Sequence, residues 1–246
     1  MRIYVGIDDS RQLDGNKAGE TASLLVEAIE KSGWGQAKIP SRHRLYPHPS
    51  TGCRKHNTAR SFSADIKEEA LPAFLDYATT LIRGLITPDS NTGLAIVVPE
   101  KMDNYHELVD YAYRVKEELV SQDEARRFDD QQGVFLLELN GTGRGIIGAL
   151  AGAVLRSTGN DGQFRGKLQM GEEEYAVVSV GEILAQTHVE QVKSMDFQIL
   201  GCDERVRLGE KVKIVLLDDL YTLMVFPTDI EDPRWQTSTT NMLRVF

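Results

Sequence analysis

Asn140-Gly141-Thr142-Gly143-Arg144-Gly145-Ile146-Ile147-Gly148 joins two unlike patterns. Before it, Gly133-Val134-Phe135-Leu136-Leu137-Glu138-Leu139 is a short, nearly continuous apolar run, which reads as a strand buried on both faces. After it, Ile146, Ile147, Leu150, Ala151, Val154 and Leu155 recur at helical spacing. The glycines therefore sit at a strand-to-helix junction. A helix N-terminus carries unpaired N–H groups and a partial positive charge, and glycines without Cβ atoms let a phosphate come close to them. One reading is a phosphate site formed by Asn140, Gly141, Gly143, Arg144, Gly145 and Gly148. The other is a tight structural turn in which Gly148 only allows close helix packing.

Upstream, Arg2 to Ile7 reads as an apolar strand that runs directly into Asp8-Asp9-Ser10. Adjacent aspartates after a buried strand serve either of two ends. They hold Mg²⁺ through one or two carboxylates while substrate phosphates complete the shell, or they supply turn and cap chemistry. After a polar loop, Gly19 to Lys31 carries Ala22, Leu25, Ala28 and Ile29 on one face and reads as an amphipathic helix.

From Lys31 to Ala64 there is no Asp or Glu, while Arg42, Arg44, Arg54, Lys55 and Arg60 fall within the segment beside His43, His48 and His56. A cluster of one sign is costly unless an anion or another part of the chain answers it, so a phosphorylated ligand is one account and neutralisation by the acidic remainder is the other. The three histidines lack the short paired spacing of a zinc site. Thr58 to Ile66 alternates like a strand, Lys67 to Leu85 reads as a helix that tolerates Pro72 near its first turn, and Leu94 to Val98 as a buried strand. With a short strand near Ala37 to Leu45, the order is β-α-β-β-α-β, the ferredoxin-like split motif. A helix over Asp103 to Leu119 and a charged linker over Ser121 to Gln132 then lead to the central strand, glycine-rich turn and helix.

The fold class expected is α/β (α+β), with residues 1–160 as a nucleotide-binding, catalytic domain and residues 161–246 as a small β-rich domain. In the latter, strands are expected at Gln163 to Gln169, Tyr175 to Val180, Phe197 to Leu200, Lys211 to Leu217 and Tyr221 to Phe226, with Asp218-Asp219 as a hairpin turn. The chain of 246 residues is 41% hydrophobic and 26% charged, an ordinary globular composition. Its net charge of −9 argues against a broad nucleic-acid surface. Cys53 and Cys202 are the only cysteines, which fits a reduced cytoplasmic protein and excludes a four-cysteine zinc ribbon. There is no apolar run of membrane-spanning length, and the N-terminus reaches Asp8 and Asp9 too soon for a secretory signal.

Val5-Gly6-Ile7-Asp8-Asp9, Arg44-Leu45-Tyr46-Pro47, Arg54-Lys55-His56-Asn57-Thr58-Ala59, Asn91-Thr92-Gly93-Leu94 and Gly141 to Leu150 follow one another in an order that resembles the archaeal isoleucine-tRNA agmatinylcytidine synthase family over residues 1–155. Enzymes of that family use ATP to activate a cytidine carbonyl in a tRNA anticodon by phosphorylation, after which agmatine displaces the phosphate, so the resemblance implies ATP-dependent activation through phosphate. It implies that Asp8 and Asp9 are paired metal-site aspartates, that Asn140 to Gly148 is the family's glycine-rich segment, and that Thr21 matches a threonine able to become phosphorylated. The chain departs from the family in Ser10-Arg11, where the pattern continues Thr-Asp, and it lacks a recognisable OB-fold and zinc ribbon.

The expectation is therefore an ATP-binding, Mg²⁺-dependent transferase, kinase-like or ligase-like, with a small amide-, carbonyl- or hydroxyl-bearing acceptor in preference to tRNA. Asp8, Asp9, Thr21, Arg54 and Lys55 are the catalytic candidates, and Arg44 and Arg60 join the glycine-rich turn as nucleotide-binding candidates. Arg54, Lys55 or Arg60 would stabilise charge in a phosphoryl-transfer transition state. Two rivals stand beside this reading: a nucleotide or phosphate sensor without turnover, and a dinucleotide-dependent oxidoreductase suggested by the Gly143, Gly145, Gly148 spacing.

Overall fold

A computed structural model describes residues 1–9, 17–49, 57–129, 131–164, 170, 175–209, 212–239 and 241–245. The chain divides into two compact units, Met1–Thr158 and Gly159–Phe246.

The first unit is built in the order β1 (Arg2–Asp9), α1 (Lys17–Lys31), β2 (Gly35–Ala37), β3 (Ser41–Leu45), β4 (Asn57–Ile66), α2 (Leu71–Leu85), β5 (Thr92–Val97), α3 (Tyr105–Glu117), α4 (Gln122–Arg126), β6 (Val134–Glu138) and α5 (Gly145–Ser157). Its strands lie in the order β6-β5-β1-β4-β3, with β2 also on β4. Every one of these pairs is antiparallel. This is the ferredoxin-like arrangement, with β2 and β3 sharing the place of one strand across Pro40, and with β6 added beside β5.

Strand alternation assigns the two faces of this sheet. Ile3, Val5 and Ile7 of β1 meet Phe62 and Ala64 of β4, Leu94 and Ile96 of β5, and the inner sides of α1 and α2. Tyr4 of β1 joins Ala95, Val97 and Leu136 against α3 and α5 on the other side. The sheet is therefore covered by helices on both faces, which is why its central strands read as continuous apolar runs. Pro72 stands in the first turn of α2, where its missing N–H costs no helical hydrogen bond. The expected linker after α3 contains α4, opened by a capping box in which the Ser121 side chain accepts from the Glu124 N–H and Glu124 reaches back to the Ser121 N–H.

α5 lies directly on the sheet because glycines remove the side chains between them. A Cβ at Gly6 would overlap the carbonyl oxygen of Ala149, one at Gly93 the main chain of Gly145, and one at Gly152 would press on the Ala59 side chain. Ile146, Ala149, Leu150, Ala153 and Val154 are at most 1% exposed, so this helix is the centre of the unit's second core.

The second unit contains β7 (Gln163–Phe164), β8 (Val177–Ser179), α6 (Val180–Gln186), β9 (Gln191–Ser194), β10 (Arg205–Arg207), β11 (Ile214–Leu217), β12 (Leu220–Pro227) and β13 (Trp235–Thr237). The strands run in the order β7-β11-β12-β13-β10-β8, with β9 parallel to β12. Asp218 and Asp219 both take positive φ, 56° and 59°, in the two-residue turn of the β11–β12 hairpin. Of the strand expected at Phe197 to Leu200, an isolated antiparallel bridge between Ile199 and Lys193 is present, entered by a turn in which the Phe197 N–H donates to the Ser194 carbonyl, and the regular strand falls earlier, at β9. Among the described residues no helix is long and apolar enough to cross a membrane.

Gly6→Ala is expected to lower stability by about 3 kcal/mol, because the added methyl meets main chain that has no rotamer to yield. Gly84→Ala on α2, where a Cβ meets nothing, is expected to raise it by about 0.5 kcal/mol. Urea unfolding of the two variants measures both.

Candidate active site

β1 remains a regular strand through Asp9, so its last two residues send their side chains to opposite faces. Asp8 emerges on the α5 side. A Cβ at Gly148 would overlap its carboxyl oxygen, so the absence of that atom is what lets the carboxyl rest against the first turns of α5. Asp9 is directed to the α1 side, where its two oxygens accept from the Asn91 N–H at 3.1 Å and the Thr92 hydroxyl at 3.2 Å.

A cleft of about 580 Å³ opens above Asp8. Leu45 and Tyr46 at the end of β3, Asn57 at the start of β4, Val115 and Val120, and Arg144, Ile147 and Gly148 at the start of α5 form its walls. The Tyr46 N–H donates to the Val115 carbonyl at 2.9 Å, and Asn57 Nδ2 donates to the Tyr46 carbonyl at 3.0 Å, which fixes the aromatic wall. The Tyr46 ring lies nearly parallel to that of His48, with centroids 6.2 Å apart.

α5 has no side-chain cap at its N-terminus and no acidic residue in its first turn. Its first amides are therefore left to short-range acceptors, with Ile146 N–H reaching Gly143 O at 3.3 Å and Ile147 N–H reaching Arg144 O at 3.2 Å. The positive end of this helix faces a carboxyl that is only 4% exposed. Burial, then the neighbouring charge of Asp9, push the Asp8 carboxyl up to about 8, partly opposed by a main-chain hydrogen bond from Asp9.

The glycine-rich turn is held from below. Asn91 Oδ1 accepts from the Thr142 N–H and its hydroxyl, Asn140 Nδ2 donates to the Thr87 carbonyl at 2.8 Å, and Asn140 Oδ1 accepts from the Gly141 N–H at 2.8 Å. Gly141 and Gly143 have φ of 85° and 76°. A Cβ at Gly143 would crowd the Glu138 carboxylate, which Arg126 pairs with. Each glycine of the turn thus answers a structural demand, and the side chain of Asn140 is engaged within the turn.

The structure brings Asp8, Arg144 and Gly148 together, with Gly145 against β5. Among the described residues, Arg44, Arg60 and Thr21 are placed elsewhere. Arg44 lies opposite Thr58, and Arg60 lies opposite Ile7 on the α1 side of the sheet, beside Gly19. Thr21 is buried on the same side, where it lines a cavity of about 20 Å³ with Asp9, Ile7 and Thr92. Arg54 and Lys55 lie outside the described residues, as does Arg11. His43 is buried in β3 with Nε2 2.7 Å from Ser41 Oγ, so it belongs to the core. Among the described residues no group of three His, Cys, Asp or Glu side chains gathers as a metal cage. A cation that takes one carboxylate and completes its shell with phosphate oxygens fits Asp8, whereas a two-aspartate chelate does not fit the opposed directions of Asp8 and Asp9.

Asn91, Tyr46 and Asn57 stand in stretches that carry the resemblance without being named as site candidates, and Gln122 was not singled out. Gln122 Nε2 donates to the Thr142 carbonyl and so ties α4 to the glycine-rich turn. The order Asn91-Thr92-Gly93-Leu94 was a signal, since a Gly at the start of a strand marks close main-chain approach.

The chain has a fold similar to part of a tRNA agmatidine synthetase. The crystal structure of TiaS in complex with tRNA and ATP is 25% identical to this chain with a TM-score of 0.51, over 72% of this chain and 42% of that one. The crystal structure of apo TiaS, a tRNA agmatidine synthetase, is 23% identical with a TM-score of 0.50, over 72% of this chain and 37% of that one. The chain thus spans about two fifths of the length of these structures. The resemblance read in the sequence is present in the fold. No protein-family model and no curated protein matches the sequence.

Two outcomes are expected. An unfolded aspartate titrates near 3.8 and folded Asp8 near 8, so the folded state holds its proton more tightly. The resulting stability is complete below about pH 4 and is lost as pH rises to about 8. In metal-free buffer the unfolding free energy should therefore fall across that window, by on the order of a few kcal/mol, and Asp8→Asn should flatten the slope. Asn91→Ala should release the turn, read as faster amide exchange at Gly141 and Thr142 with the strands unaffected.

Proposed function

We propose that this chain is an ATP-dependent enzyme of transferase or ligase type, which binds ATP with Mg²⁺ in the cleft above Asp8 and activates an acceptor through phosphate. The observation that carries this reading is the buried carboxyl of Asp8 set against the side-chain-uncapped N-terminus of α5 across Gly148. The likeness of the fold to a synthetase crystallised with ATP supports it.

The electrostatics set an order of dependence. The start of α5 and Arg144 attract phosphate, while an ionised Asp8 repels it. Mg²⁺ would be held by Asp8 and would supply charge neutralisation between that carboxylate and the phosphate oxygens. Arg144 at the cleft wall would orient the phosphates, and the start of α5 would place donors where charge develops on the transferred group. Leu45, Val115, Val120 and Ile147, with the Tyr46 ring, offer the apolar wall suited to a base. Asp9 acts on the site through Asn91 and the glycine-rich turn, so it is a positioning residue here.

Two acceptors are consistent with this chemistry. A small carbonyl-, amide- or hydroxyl-bearing molecule suits the net charge of −9. A tRNA suits the likeness to a structure that contains one, and the comparison lends no support to the preference against it. The oxidoreductase reading loses its setting: the glycine turn follows β6, at one side of an antiparallel sheet, whereas a dinucleotide fold places it after the first strand of a parallel one.

Calorimetric titration of the full chain with ATP, with and without Mg²⁺, tests the proposal. Binding should require Mg²⁺, weaken by about tenfold or more in Asp8→Asn, and weaken by less in Arg144→Ala, where one charged contact is lost. Absence of ATP binding by the intact protein would overturn it. Binding without release of inorganic phosphate or ADP, across candidate acceptors, would move the protein to the sensor class.

A further inference from the structure

Among the described residues β6 ends the strand order of the first unit's sheet, and its main chain has a definite pattern. The Leu139 N–H donates to the Thr92 carbonyl at 3.0 Å and the Val98 N–H to the Gly133 carbonyl at 2.7 Å. In this antiparallel pair the odd-numbered residues therefore turn their main chain toward β5, and Val134, Leu136 and Glu138 turn theirs outward. The Val134 N–H is taken by the Gln131 carbonyl at 3.1 Å. What faces outward is the N–H and carbonyl of Leu136, the carbonyl of Val134 and the N–H of Glu138.

We infer that β6 pairs with β6 of a second copy of this chain, antiparallel and centred on Leu136, in a two-fold dimer. With Leu136 opposite Leu136, the two residues exchange both main-chain hydrogen bonds, and each Glu138 N–H meets the Val134 carbonyl of the other copy. The set is self-complementary, as an isologous contact requires. Phe135 and Leu137, both half-buried, come side by side across the seam on the α2 face.

Charge selects the second copy over an unrelated extended segment. α2 stops short of β6 and leaves a cleft of about 780 Å³ whose rim is polarised. Asp129 lies just ahead of Val134, at one end. The Thr87 carbonyl accepts from Asn140 Nδ2, so the C-terminal end of α2, with Arg83, lies at the other. Asp76 stands two helical turns back, about 10 Å toward the Val134 end. A two-fold through Leu136 sets the acidic end of each copy against the basic end of its mate. β6 also lacks the usual guards of a solvent-facing edge, since Val134 to Leu139 has no lysine or proline and its one charge, Glu138, is paired with Arg126.

Sedimentation velocity of the full chain over a range of concentrations tests this independently of nucleotide binding. A reversible dimer that weakens with added salt is expected. Arg83→Glu turns two attractions into repulsions at once and should weaken it by about tenfold, and Asp76→Arg/Arg83→Glu should recover most of that loss. Leu137→Lys, which puts a charge at the seam, should give a monomer with unchanged circular dichroism. A chain that stays monomeric at every concentration overturns the inference. So does a dimer indifferent to both Arg83→Glu and Leu137→Lys.

Discussion

The first unit depends on one approach of main chain to main chain. Its last helix rests on the strands without intervening side chains, because Gly6 and Gly93 in the sheet, and Gly145 and Gly152 in the helix, leave that space empty. Side chains normally stand between a helix and the sheet it covers. Here main chain occupies the space a Cβ would need at several points, and the small buried residues around the glycines, Ala149, Ala151 and Ala153, fill in beside them. The candidate site inherits this geometry. Gly148 lies in the same row between Gly145 and Gly152, and there the space is filled by the carboxyl of Asp8.

That inheritance explains why the glycine-rich turn resists a single reading. The same atoms that would admit a phosphate also admit the sheet, and both uses converge on the start of α5. What sets the turn apart from an ordinary one is Asp8, a carboxyl held out of water beside a helix end and beside Asp9. Asp9 shows the opposite economy. Its oxygens are absorbed by Asn91 and Thr92, and through them it fixes the turn from the far side of the sheet.

Much of this was legible in the residues. The apolar runs of β1, β5 and β6 and the helical spacing of α1, α2, α3 and α5 specify the mixed α/β class and the ferredoxin-like order, since a sheet covered on both faces leaves long apolar strands. α4 hid in a charged stretch although Ser121 and Glu124 carry the capping-box spacing. β9 was invisible to an apolar pattern because Gln191, Lys193 and Ser194 are buried polar residues, and Lys193 is paired with Asp218. The adjacency of Asp8 and Asp9 left open whether one or two carboxylates face a cation or whether they serve the turn. Period-two alternation separates them once the strand is seen to continue through Asp9, and the same alternation carries Arg60 away from the cleft. Neither separation follows from sequence until the strand's end is known.

The pairing of the first strand with the fifth helix also dictates when the unit can form. β1 is central in the sheet, yet one of its faces is covered by α3 and, chiefly, by α5, whose residues are made roughly 140 positions later. Contacts so distant along the chain are slow to close, because loop entropy is spent before they form. On the ribosome the strand would emerge well ahead of that helix and wait, with Tyr4 and Gly6 open to solvent, while α1 and α2 cover its opposite side. Asp8 would meanwhile remain hydrated and ionised as an ordinary carboxylate. Its unusual state would come into being only when Ser157 has cleared the exit tunnel, so the buried carboxyl has no counterpart in the nascent chain before α5 docks.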